Sequence, residues 1–136
     1  MNLIQRSAAA VFVAGGLLAA GLAAASQCPT HYVDGRPPEI LNRKMEAATT
    51  ELCYGVFGVM HSGITRTPLW SAEHLKVDNL EAAKDLSREN SFHAEKRLPA
   101  NARAELADYA RSGYDRGHMA PNADMPDRST QRESFT

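Results

Sequence analysis

Cysteine is scarce: among 136 residues only Cys28 and Cys53 carry a thiol. Two cysteines so far apart do not make a zinc knuckle, whose ligands are closely spaced. An excess of positive charge is also missing. With 15 Lys and Arg against 16 Asp and Glu, the formal net charge is −1. Bulk charge therefore lends no support to nucleic-acid binding, which would have to rest on individual cations. There is no glycine-rich phosphate loop and no pair of metal-binding carboxylates, which weighs against a nucleotide-specific hydrolase. Internal repeats are absent, and a chain of this length holds one domain.

What is present begins with the stretch "MNLIQRSAAAVFVAGGLLAAGLAAASQ". A single cation, Arg6, precedes an uncharged run from Ser7 to Ala25, and small residues at Ala23 and Ala25 suit a signal peptidase. Residues 1–25 thus read as a secretory signal and 26–136 as the mature chain. The rival is a transmembrane anchor, since the run is nearly long enough to span a bilayer. Loss of Arg6 takes the net charge from −1 to −2, because 14 cations then face the 16 acids. An exported chain meets an oxidising compartment, so Cys28 and Cys53 are expected to form a disulfide, worth roughly 3 kcal/mol through restriction of the unfolded chain.

Along the mature chain, "CPTHYVDGRPP" is dense in Pro and Gly and predicts an irregular arm that turns at Asp34-Gly35. Leu52 to Met60 is β-branched and aromatic and predicts one strand, followed by a turn at His61-Ser62-Gly63 and a second extended run, "ITRTPLWSAEHL". The pair reads as a hairpin. Charge is dense from Lys76 to Arg97, with a short helix predicted around Asn79 to Leu86. "PANARAELADYARSG" then fits a helix opened by Pro99 and stopped by Gly113, and "GYDRGHMAP" looks strand-like. The last residues, "DRSTQRESFT", show no helix or strand to close the sheet. The pattern is α+β.

The chemistry gathers in "YDRGHMAPNADM". His118 can take a proton from water near neutral pH and return it. Gly117 lets the backbone bend or approach closely, and Arg116 offers a planar guanidinium that grips phosphate oxygens in bidentate fashion. Asp115 adds a carboxylate able to orient a partner. Such a set suits cleavage of a phosphodiester. The bland alternative is a polar surface turn in which Asp115 and Arg116 pair and His118 bonds a carbonyl.

The longer string "DYARSGYDRGHMAPNADM" resembles the signature of the DNA/RNA non-specific endonucleases, the ββα-metal (His-Me finger) nucleases. "TRTPLWSAEHL" and "SRENSFHAEKRLP" resemble the family's upstream segments, so the likeness runs from about Cys53 to the C-terminus. It implies an α+β ββα-metal fold with an antiparallel sheet. It also implies that His118 is the general base and binds no metal, and that Arg116 stabilises the phosphate. Arg88 would be the second phosphate-binding arginine, with Arg97 as competitor. Asp115 would support the metal's water shell or the local turn, while Trp70 and Arg66 build the sheet.

The same resemblance implies one divalent ion, Mg2+, bound through an asparagine on a helix after the signature. Mg2+ keeps several waters and needs few protein ligands. No residue up to Thr136 is assigned as that ligand. Asn122 lies too near His118 and is expected to cap the loop instead. The expectation is therefore the front part of a nuclease domain, 26–136, lacking the metal-binding helix and inactive by itself. In this reading it is exported to the periplasm or beyond, has no stable membrane association after signal cleavage, and takes DNA and RNA as substrates. A catalytically dead secreted module that binds nucleic acid or protein is the alternative from another class, and a hydrolase for other phosphoesters is a third.

Overall fold

The computed structural model describes residues 25–136, so the predicted signal lies outside the described residues except for Ala25. Among the described residues no helix is long and apolar enough to cross a membrane. Three strands form one antiparallel sheet in the order of the sequence: β1 Thr49–Cys53, β2 Phe57–Ser62 and β3 Thr67–Glu73. Two short helices follow, α1 Val77–Ala83 and α2 Arg128–Ser134, each starting from an extended residue.

The single strand expected over Leu52 to Met60 is two strands. The chain reverses at Tyr54–Val56, with Tyr54 N donating to Phe57 O at 2.9 Å. Gly55 makes the reversal possible because it is pressed against α2: a Cβ there would stand 2.9 Å from Thr130 Cγ2, and its N–H donates to Glu133 at 2.8 Å. An isolated glycine in an apolar run was the only sequence signal for this turn. A β2–β3 hairpin forms, but its turn is 63–66 rather than His61-Ser62-Gly63, because His61 and Ser62 pair with Pro68 and Thr67 within the sheet after a bulge at Met60.

One face of the sheet carries Leu52, Tyr54, Phe57 and Val59, which are buried with Leu98, Ala120 and Met125 in one apolar cluster. Each large side chain buried there contributes roughly 1.5–3 kcal/mol. The other face is covered by the N-terminal arm. Tyr32 lies so close over Gly58 that a Cβ would meet its hydroxyl at 2.1 Å, and its ring meets Trp70 edge to face at 5.8 Å. Tyr32 donates to Glu51 at 2.9 Å, and burial, reinforced by that carboxylate, pushes its phenol up. The Cys28–Cys53 disulfide fastens the arm across 25 residues with a Cα separation of 5.7 Å. Asp34 and Gly35, at φ 53° and 71°, make the expected turn. Trp70 lies in β3 as expected, whereas Arg66 sits at φ 60° in the turn before that strand.

Three other expectations fail for identifiable reasons. No helix spans 99–113; only a single 3-10 turn, Leu106–Tyr109, forms there. Side chains from the sheet take the carbonyls a helix would need: His61 bonds Ala102 O at 2.7 Å, and Arg66 bonds Arg103 O at 2.8 Å and pairs with Asp108. Arg103 itself donates to Leu98 O at 3.0 Å and to Glu105 at 2.6 Å. Residues 113–121 are no strand either. That segment is held instead by Met119 N donating to Ser134 O at 2.9 Å and by burial of Ala120.

The C-terminal residues, expected to lack an element, form α2. Its start is a capping box in which Asp127 accepts from Thr130 N at 2.9 Å and Thr130 Oγ1 accepts from Asp127 N at 3.3 Å. Glu73, the last residue of β3, faces Asp124 in the turn after the signature. Burial and that second carboxylate push Glu73 up to about 7.

Candidate active site

Three stretches meet at one place: the irregular segment 87–93, the signature loop 115–118, and the end of α2. The last residues zip to the first stretch, with His93 N donating to Phe135 O at 3.2 Å and His93 Nε2 joined to Thr136 Oγ1 at 3.1 Å. This brings Phe92 and Phe135 edge to face at 4.8 Å. His118 completes a triangle of rings, 4.2 Å from Phe135 and 5.3 Å from Phe92.

Each phenyl ring also carries a guanidinium. Arg88 lies over Phe135 at 5.3 Å and Arg116 over Phe92 at 4.9 Å. Both arginines are exposed, and among the described residues neither joins an ion pair or hydrogen bond to a carboxylate. Their charge is therefore left to attract an anion.

His118 is half-buried, and its Nε2 is buried with no hydrogen-bond partner among the described residues. Burial, and after it the charge of Arg88, pushes the imidazole below the ordinary histidine value of 6.5. The neutral ring thus persists as pH falls through that value. Folding becomes less favourable below it, because only the unfolded chain then takes up the proton readily.

The other candidates from the sequence fall differently. Arg97 is committed elsewhere: it donates to Cys53 O at 2.8 Å, grips Glu95 at 2.6 and 3.0 Å, and covers the Tyr54 ring at 4.4 Å. Burial works to raise Glu95, but the bonds from Arg97 and Tyr54 outweigh it and hold the carboxyl at about 2. Of the two competing arginines, only Arg88 stands at His118. Asp115 is exposed and forms no ion pair with Arg116. Asn122 does not cap the loop: its Oδ1 is buried without a partner, and the turn Asn122–Asp124 has no side-chain cap. Phe92 and Phe135 were missed from sequence. Nothing marks an aromatic in "NSFH" or "ESFT" as the wall of a site until the two segments are brought together.

Among the described residues the one cluster of three metal-ligating side chains is Cys28, Glu51 and Cys53, whose thiols are consumed by the disulfide. The immediate neighbours of His118 are rings and cations, which do not fit a divalent ion.

The half-buried imidazole with its unpartnered Nε2, set between two unpaired guanidiniums, is carried on D-R-G-H. Residues 36–136 match the DNA/RNA non-specific endonuclease family. The chain belongs to this family. Its antiparallel sheet with two helices is the α+β arrangement expected of a part of the family's ββα-metal fold. The mitochondrial nuclease of Saccharomyces cerevisiae is 49% identical over 61 residues, covering 44% of this chain and 18% of the relative. Human mitochondrial endonuclease G is 42% identical over 59 residues, 43% of this chain and 20% of the relative. A nuclease of Nostoc is 30% identical over 95 residues, 69% of this chain and 34% of the relative. The endonuclease-family chain thus spans about a fifth to a third of the length of these relatives.

Proposed function

We propose that this chain carries the histidine and arginine part of an endonuclease that hydrolyses phosphodiester bonds of DNA and RNA with little sequence preference. The observation that carries the reading is the His118 imidazole, kept neutral and uncommitted between Arg88 and Arg116. His118 takes the proton from the attacking water as the water approaches phosphorus. A positioned base of this kind contributes about 10²- to 10⁴-fold in rate. Arg116 and Arg88 bind the phosphate oxygens and meet the charge that grows on them in the transition state. Asp115, exposed and outside any ion pair, is assigned to support either the metal's water shell or the local turn.

The reading includes dependence on a divalent ion, Mg2+, which when bound neutralises charge on the leaving oxygen. We assign none of its ligands to the described residues. The steps assigned to this chain are therefore the proton transfer at His118 and the phosphate grip of the two arginines. Export is part of the same proposal, with residues 1–25 as a cleaved signal; the Cys28–Cys53 disulfide supports it, since such bonds persist in oxidising compartments.

The test is cleavage of supercoiled plasmid and of a structured RNA by the full-length protein, with Mg2+ and with the ion chelated. Both substrates are expected to be cut with the ion and neither without it. Undiminished cleavage under chelation would refute the metal dependence. Tight binding without any cleavage would favour the alternative of a nucleic-acid-binding module.

A further inference from the structure

Arg88 stands on a segment without helix or strand, from Leu86 to Glu95, so something other than regular structure must place it. The residue that does so is in α2. Gln131 is 1% exposed, and its side-chain amide reaches the backbone on both sides of Arg88. Its Nε2 donates to Ser87 O at 3.2 Å, and its Oε1 accepts from Glu89 N at 3.2 Å. The same Oε1 accepts from Arg128 at 2.9 Å, and Arg128 in turn donates to Ser87 O and, at 2.7 Å, to Ser87 Oγ.

We propose that Gln131 is a positioning residue for Arg88: its buried amide fixes the chain before and after that arginine and so holds the guanidinium against Phe135 and His118. The inference rests on the proposed function. Only a side chain with both a donor and an acceptor at this length meets the Ser87 carbonyl and the Glu89 amide together. A carboxylate keeps the acceptor half alone, and a thioether of similar length keeps neither. Burial makes the loss expensive, because groups left unpaired there are cut off from water. Two charged groups face His118: Arg88, across Phe135, which the clamp governs, and Arg116, across Phe92, which it does not touch.

The experiment compares Gln131→Met and Gln131→Glu in the wild-type and Arg88→Gln backgrounds of the full-length protein. It reads the His118 titration by NMR, kcat/KM on plasmid DNA, and the melting temperature. Gln131→Met is expected to move the His118 titration upward, toward that of Arg88→Gln, and to lower kcat/KM about 10- to 100-fold, the scale of a displaced binding group. Gln131→Glu is expected to fall between it and wild type. In the Arg88→Gln background, Gln131→Met should change neither the titration nor kcat/KM further, while its loss of melting temperature stays the same. A loss of melting temperature alone, or effects that add in full without Arg88, would overturn the proposal. A protein that cuts no nucleic acid would refute the proposed function instead, and the NMR titration would still decide the role of Gln131.

Discussion

Replacing His118 with alanine is expected to lower kcat/KM on DNA and RNA by about 10²- to 10⁴-fold, the range lost when a positioned general base is removed. The fold should hardly notice. Nε2 makes no hydrogen bond among the described residues, so no partner is orphaned by its removal. The ring lies at the half-buried edge of the Phe92–Phe135 pair rather than inside the apolar cluster around Phe57 and Val59. Circular dichroism, the melting temperature and oligonucleotide affinity under chelation should all stay close to wild type, because Arg88 and Arg116 remain. A His118→Ala protein of full activity would remove the imidazole from the mechanism.

The second large effect is expected at Phe135. Its side chain is fully buried and touches three parts of the site at once: the His118 ring at 4.2 Å, the Phe92 ring at 4.8 Å and the Arg88 guanidinium at 5.3 Å. Phe135→Ala should cost about 3–5 kcal/mol of unfolding free energy, measured by urea titration, as expected for a buried phenyl ring truncated in a core. That is a large share of the 5–15 kcal/mol of a typical domain. Phe135→Leu fills most of the volume and should cost far less. It should still lower kcat/KM, because it removes the aromatic face on which Arg88 rests and loosens one wall around His118. A Phe135→Leu protein with unchanged kcat/KM would show that the ring only fills space.

The parts of this molecule legible in sequence were those set by local chemistry. D-R-G-H put a histidine and an arginine side by side, Asp34-Gly35 made its turn, and Cys28 and Cys53 formed their bond. The existence of the β2–β3 hairpin followed from its β-branched runs, though its turn lies at 63–66 rather than at His61-Ser62-Gly63. What was illegible depends on contacts distant in sequence. The helical propensity of "ARAELADYA" lost to Arg66 and His61, which reach from the sheet and capture its carbonyls. The turn at Gly55 exists because Thr130 and Glu133 close over it from a helix that was itself unforeseen. That helix was hidden because its cap, Asp127 with Thr130, departs from the familiar pairing with Glu or Gln. Which of Arg88 and Arg97 stands beside His118 could not be read from spacing. It turned on Glu95 and the Cys53 carbonyl, which claim Arg97 and leave Arg88 facing His118.

The most direct measurement is the pH dependence of kcat/KM for plasmid cleavage by the full-length protein, taken for wild type and for Arg88→Gln. The acid limb of that profile reports the free enzyme's base. In wild type it should lie below the ordinary histidine value of 6.5, because burial and the Arg88 charge favour the neutral ring. In Arg88→Gln one of those two causes is gone, and the limb should move to higher pH. A limb that stays in place when Arg88 loses its charge, or one that survives unchanged in His118→Ala, would contradict the assignment of His118 as the base held beside that arginine.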